Sequence, residues 1–264
     1  MTSDNSSASL KGKTYIVVGA AGNLGPTWCE IILASGGEVI ALGIGVTSDS
    51  RLQEMLKKNQ GTLEIIENDI CLPLRDEVTD LLRQKKIAGV VLNAGIDSLP
   101  GSGFSNITEF DYKNWVEILS VNVAAIATVT NSIIPFLSTN ASVVFIGSMY
   151  AIVSPSPSLY SHFNSGLGSV KNPAYGASKA ALIALCNQYA TQFAPTGQRF
   201  NLLTLGGIAG SQDEEFKEKF NRKVPMQRMG DANELGGALV FLLSSASSYM
   251  TGHNLILDGG FTKW

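Results

Sequence analysis

Short, nearly continuous apolar runs rich in β-branched residues alternate along this chain with longer segments in which apolar residues recur at helical spacing. The runs at 14–18, 38–42, 62–66, 89–92, 141–146, 200–204 and 254–257 read as strands. They lack the in/out alternation of a half-exposed sheet, as strands covered on both faces do. Segments 24–35, 50–58, 74–84, 110–137, 174–193 and 232–244 read as helices. This alternation predicts an α/β fold: a doubly wound, parallel, seven-stranded sheet with helices on both faces and right-handed crossovers.

Residues 1–9 are polar and Ser-rich without periodicity, so they are expected to form a disordered tail, and 10–264 a single domain. The stretch 153–172, with Pro155, Pro157, Gly166 and Gly168, follows neither period and reads as a long loop. With 45% hydrophobic residues, 27 glycines and 16% charged residues, the chain can bury a large core and make many tight turns. A net charge of -3 offers no electrostatic attraction for nucleic acid or an anionic membrane, so a small-molecule substrate is the expected partner. No signal-peptide pattern and no long uninterrupted apolar run is present, and a cytoplasmic location is expected. Cys29, Cys71 and Cys186 are far apart, and with only two histidines they read as buried thiols with no metal site.

The first strand runs directly into Gly19, Ala20, Ala21, Gly22, Asn23, Leu24 and Gly25, and a helix then begins with Pro26 near its first position. Glycines at this junction let the backbone turn and approach a pyrophosphate, while the helix N-terminus offers free N–H groups and a positive dipole end. A dinucleotide is the ligand this pattern fits. In such folds an acidic residue roughly 20 residues on holds the ribose hydroxyls. Here the second strand ends in Leu42, Gly43, Ile44 and Gly45, with no carboxylate, while Thr47, Ser48 and Arg51 follow. The choice between NAD and NADP therefore stays open.

Tyr175 and Lys179 lie four residues apart in a helical segment, which places them on one face, about 5 to 6 Å apart at Cβ. A phenol with an ordinary pKa near 10 needs a neighbouring cation to work as a base near neutrality, and Lys179 is placed to be that cation. Ser148 closes the fifth strand at the sheet edge where open α/β sheets bind ligands.

Taken in order, Gly19 to Gly25, Asn68-Asp69-Ile70, Asn93-Ala94-Gly95, Asn122, Ser148, Tyr175-x-x-x-Lys179, Arg199-Phe-Asn201 and Asp258-Gly259-Gly260 resemble the motifs of the short-chain dehydrogenase/reductase family over nearly the whole chain. The resemblance implies a Rossmann domain and hydride transfer between NAD(P) and a secondary alcohol or ketone, with sugar and polyol derivatives among the candidates. It implies Tyr175 as acid/base and Lys179 as its partner and a nicotinamide-ribose ligand. Ser148 would orient substrate, and Asn122 would hold a water in the proton relay. Asp69 and Ile70 would contact the adenine, Asn93, Ala94 and Gly95 would shape the cofactor floor, and Ile208 would offer its backbone. Asp258 reads as structural.

Several positions depart from the family pattern. Val18 and Asn23 replace a common Thr and Gly, and Leu205-Gly206-Gly207-Ile208-Ala209 stands where Pro-Gly and a Thr are usual. The interval from Ser148 to Tyr175 is longer than in most relatives. Its extra residues, Tyr160, His162 and Phe163 among them, are expected over the substrate site or at an oligomer contact, with the charged segment 212–224 as a mobile lid. The long interval and the ending at Trp264 resemble a subgroup associated with bacterial surface-sugar or nonulosonate pathways. Two other readings compete: a nucleotide-sugar epimerase or dehydratase, and a non-catalytic cofactor-sensing protein of the same fold. The broad apolar faces of 110–137 and 174–193 predict a homo-oligomer, a tetramer or dimer.

Overall fold

The computed structural model describes residues 8–97, 106–162 and 171–264. Most of the expected tail, and Phe163, Gly166 and Gly168 of the long loop, lie outside the described residues. The strands are β1 (Thr14–Val18), β2 (Glu38–Gly43), β3 (Leu63–Glu67), β4 (Ile87–Leu92), β5 (Leu137–Ser148), β6 (Arg199–Leu205) and β7 (Asn254–Leu257). The helices are α1 (Gly25–Ala34), α2 (Ser50–Lys58), α3 (Asp76–Gln84), α4 (Tyr112–Leu119), α5 (Ile126–Ile133), α6 (Pro173–Phe193), α7 (Glu214–Asn221) and α8 (Leu235–Leu243).

All seven strands pair in parallel in the order β3-β2-β1-β4-β5-β6-β7, the doubly wound sheet that the pattern predicts. Because successive side chains of a strand point to opposite faces, β1 feeds two cores. Ile16 and Val18 pack with Val78, Leu82, Ile126, Val129 and Leu182 of α3, α5 and α6. Tyr15 and Val17 pack with Trp28, Ile32, Leu52, Leu235 and Leu239 of α1, α2 and α8. The strand order reverses beside β1, which opens a crevice at the C-terminal ends of β1 and β4.

Arg199 shows what the Arg-Phe-Asn motif does. Its buried guanidinium donates to the carbonyls of Leu242 and Ser244 (both 3.0 Å) and to Ser247 (O at 3.0 Å, Oγ at 2.8 Å), tying β6 to the C-terminus of α8. Those carbonyls have no partner within their own helix, and a cation there complements the helix dipole. The Ser142 and Ser247 hydroxyls also donate to Leu242 O (2.6 and 3.0 Å), so Arg199→Met removes the charged donor without stranding the carbonyls and is expected to cost about 2 kcal/mol, lowering Tm by roughly 5 °C. Calorimetry checks this.

Four local readings change. The expected helix 110–137 is α4, a π-helical turn (Ser120–Ala125), α5 and a 3-10 turn (Ile134–Phe136), after which β5 begins at Leu137 rather than 141. Pro135 cannot donate to a continuing helix, which is why the chain turns there. The whole stretch Tyr112–Phe136 is long and apolar enough to cross a membrane, and in this fold Ile126, Val129 and Ile133 cover the sheet. The segment expected as a lid carries α7, capped by Asp213 accepting from Phe216 N (2.9 Å). Cys71 is exposed rather than buried, because it sits in the turn after β3.

Candidate active site

At the crevice, Gly19 has φ +79° and a Cβ there would stand 2.5 Å from Ala94 Cα; at Gly25 a Cβ would stand 2.2 Å from Ala20 O. The loop between them is closed by Gly22 N to Gly19 O (3.1 Å) and Gly25 N to Gly22 O (2.8 Å). Helix α1 starts at Leu24 with no side-chain cap and no acidic residue in its first turn. Helices α2, α4, α6 and α7, by contrast, are capped by Asp49, Asp111, Asn172 and Asp213. An uncapped, positively polarised helix end beside a glycine-rich loop is a cradle for a pyrophosphate. The residues present therefore fit a dinucleotide.

Asn93 locks the cradle to the next strand. Its Nδ2 donates to Gly19 O (2.8 Å), its Oδ1 accepts from Trp28 Nε1 (2.8 Å), and Asn93 N and Ala94 N both donate to Val18 O (3.0 Å). Gly95 follows, with Lys179 Nζ beside it. Asp69 Oδ1 accepts from Cys71 N (2.9 Å), so Asp69 and Ile70 form the turn after β3. The start of α3 is met by Asn68, whose Oδ1 accepts from Arg75 N (3.0 Å).

The end of β2 has no carboxylate, yet one stands there. Glu67 of β3 pairs in register with Gly43 and accepts from Gly45 N (2.5 Å), Thr47 N (3.3 Å) and the Thr47 hydroxyl (3.1 Å). The Gly45 bond above all holds its carboxyl below the usual range. Reading along β2 cannot find a group supplied by a strand 24 residues later. Ser48 Oγ donates to Gly45 O (3.1 Å), and Arg51 pairs with Asp49 (3.3 Å) and donates to Asn23 O (3.4 Å), so Thr47, Ser48 and Arg51 are each engaged within the protein. Ile208 lies after β6, bridged to Gly230, and its carbonyl accepts from Gln212 Nε2 (3.0 Å).

Four candidate catalytic residues meet at the ends of β4, β5 and α6. Asn172 caps α6 by accepting from Ala174 N (2.9 Å), which fixes Tyr175 in the first turn. One turn on, the buried Lys179 donates to Ile146 O (3.0 Å), with its Nζ 5.8 Å from the Tyr175 ring centre. Burial lowers Lys179 to about 8, opposed by the charge of Asp97. Tyr175 is pushed above its ordinary range by burial and then by Asp97, while a bond with the Ser148 hydroxyl opposes this. Ser148 Oγ also accepts from Tyr150 N (3.2 Å).

Asn122 sits fully buried in the π-helical turn, a feature frequent at functional sites. Its Oδ1 accepts from Ile96 N (2.7 Å), and its Nδ2 donates to Ile96 O (2.9 Å) and Ser178 Oγ (3.0 Å). Both side-chain donors are spent clamping the β4 turn to α6.

The described part of the Ser148 to Tyr175 interval packs against the segment 212–224. Leu159 and Tyr160 are buried with Phe220 and Val224 of the lid segment and with Phe261. Tyr160 Oη lies 2.8 Å from Tyr150 Oη, and His162 Nε2 lies 3.0 Å from Asp213. Asp97 and Lys171, an ion pair beside Tyr175, were not singled out by the sequence, since a lone Asp and a lone Lys carry no pattern. Asp258 is structural in its contacts: it accepts from Gly260 N and Thr262 N (both 2.8 Å).

A family model described as enoyl-(acyl carrier protein) reductase matches residues 19–262. The 2-dehydro-3-deoxy-D-gluconate 5-dehydrogenase of Bacillus subtilis is 27% identical, over 96% of each chain. A short-chain dehydrogenase from Leptospira borgpetersenii with bound NAD+ superposes with a TM-score of 0.82 at 25% identity, over 99% of this chain and 97% of that one. A candidate NAD(P)-dependent gluconate 5-dehydrogenase from Beutenbergia cavernae, with NADP at low occupancy, gives 0.78 at 25%, over 97% and 99%.

Proposed function

The chain belongs to the short-chain dehydrogenase/reductase family and is an oxidoreductase using NAD or NADP, and from that premise we propose that it interconverts a secondary alcohol and a ketone on a sugar or polyol derivative, with Tyr175 moving the proton. The observation that carries this reading is the grouping of Ser148, Tyr175 and Lys179, one hydroxyl bonded to the phenol and one ammonium a helical turn below it. The sugar-derived substrate rests on the Bacillus subtilis relative's name.

The Gly19 to Gly25 loop, Asp69, Ile70, Asn93, Ala94, Gly95 and the Ile208 backbone would hold the cofactor, which would supply or take the hydride. In reduction the substrate oxygen gains negative charge, and Tyr175 gives it the phenolic proton. The Ser148 hydroxyl holds that oxygen beside the phenol, so the proton crosses a preset hydrogen bond. Lys179 keeps an ammonium near the phenolate that remains and would bond the nicotinamide ribose, and a water held by the Asn122 carbonyl would return a proton to the phenolate from solvent. Oxidation runs the same steps backward. The reading includes a cytoplasmic homotetramer or dimer, supported by the exposed Tyr112 and Val116 on α4.

A spectrophotometric screen of NADH and NADPH against sugar, polyol and simple keto compounds, run beside Tyr175→Phe, tests the proposal. Tyr175-dependent turnover on a sugar-derived ketone is expected. Cofactor binding without any Tyr175-dependent turnover would overturn it in favour of a cofactor-sensing protein.

A further inference from the structure

A second lysine besides Lys179 stands over the Tyr175 ring. Lys171 Nζ stands 5.1 Å from the Tyr175 ring centre and 5.5 Å from that of Tyr150, with its side chain only 10% exposed. Its ion-pair partner is Asp97, on the turn after β4, whose side chain is 30% exposed. The pair therefore joins the β4 turn to the start of α6 across Tyr175. Lys171 is immediately followed by Asn172, the buried cap of α6, so its backbone is anchored and the ammonium is preset.

Resting on the oxidoreductase reading above, we propose that Lys171 is the specificity residue for a carboxylate on the substrate, which takes the place of Asp97 on the ammonium. Three observations support the exchange. Lys179 is buried and bonded to Ile146 O, which leaves Lys171 as the other cation over Tyr175 among the described residues. A desolvated ammonium between two aromatic faces must keep an anionic partner, because stripping one ion from a buried pair is costly; an incoming carboxylate meets that need and forms a charge-assisted hydrogen bond. The displaced Asp97 is the more exposed partner, so its release to water carries the smaller penalty. An uncharged alcohol gains nothing from opening the pair. The substrate is then a hydroxy acid whose carboxylate meets Lys171 while its carbinol meets the Tyr175 hydroxyl.

The test uses the protein loaded with reduced cofactor, whose fluorescence reports a second ligand without turnover. The probes are D-gluconate and lactate, set against sorbitol and propane-1,2-diol as uncharged counterparts. At least one acid should bind ten-fold or more tightly than its counterpart. Lys171→Met should lower that acid's affinity at least ten-fold while changing the diols less than two-fold, and Lys171→Arg should restore most of it. No preference for either acid in the unaltered protein, equal losses for charged and uncharged probes, or no loss in Lys171→Met would overturn the proposal. Failure of the oxidoreductase reading looks different: with oxidised cofactor in place of reduced, the probes bind but none is turned over in a Tyr175-dependent way.

Discussion

Tyr175→Phe is expected to lower kcat about 10³-fold in both directions while leaving cofactor affinity within two-fold. The substitution removes one oxygen, so the ring still packs in the first turn of α6 and the cradle at Gly19 to Gly25 is untouched. What is lost is the group that exchanges the proton, a contribution of about 10² to 10⁴ in general acid–base catalysis. The pH dependence sharpens the test. Burial and Asp97 raise the phenol above its ordinary range, so Tyr175 is protonated throughout neutral pH and poised as an acid for reduction. Oxidation needs the ionised form, and its kcat/KM should rise with pH across the accessible range. The Phe variant should lose that slope. Steady-state kinetics in both directions, with a fluorescence titration of the cofactor, decide it; a variant with unchanged kcat would remove Tyr175 from the mechanism.

Lys179→Met is expected to abolish turnover and stabilise the protein. The drop of the buried ammonium from 10.5 to about 8 corresponds to about 3 kcal/mol that its charge costs the fold at neutral pH. The lost bond to Ile146 O returns about 1 kcal/mol of that. A net gain of about 2 kcal/mol is worth roughly 5 °C in Tm. The sign follows from proton counting. Between about 8 and 10.5 the unfolded chain binds a proton at Lys179 that the folded chain has released, so the unaltered protein gains stability as pH rises through that window. The advantage of the Met variant should therefore be largest below pH 8 and fade toward 10.5. Thermal melts at several pH values measure this, and a variant less stable than its parent at pH 7 would contradict it. A residue that costs stability where it serves activity is the expected pattern at a functional site.

Much of the site was legible because it is built from local patterns. A strand running into a glycine loop and a helix specifies the cradle, since both the tight turn and the free helix end arise within about ten residues. Tyr175 and Lys179 are visible as a pair because helical spacing alone puts them on one face. Other groups are invisible to such reading. Asp97 and Lys171 are 74 residues apart, and Glu67 reaches Gly45 from 22 residues away. The roles of Asn122 also divide at this line: its position could be named, but only packing against Ile96 and Ser178 shows that its side chain is spent on clamping. Helix α7 was hidden in a charged segment, although Asp213 followed by Glu214 and Glu215 is the signature of a helix start.

By itself the sequence determined the alternating strands and helices, the parallel sheet and the family, because burial on both faces and backbone turning are written in adjacent residues. The tertiary structure decided which charges face the phenol and the β2 edge, and how the long interval after Ser148 is used. Leu159 and Tyr160 carry no periodic signal, and their value as the root of α7 exists only once Phe220 and Phe261 are folded against them. Electrostatics at close range depends on distances between elements, and no spacing along one chain encodes those.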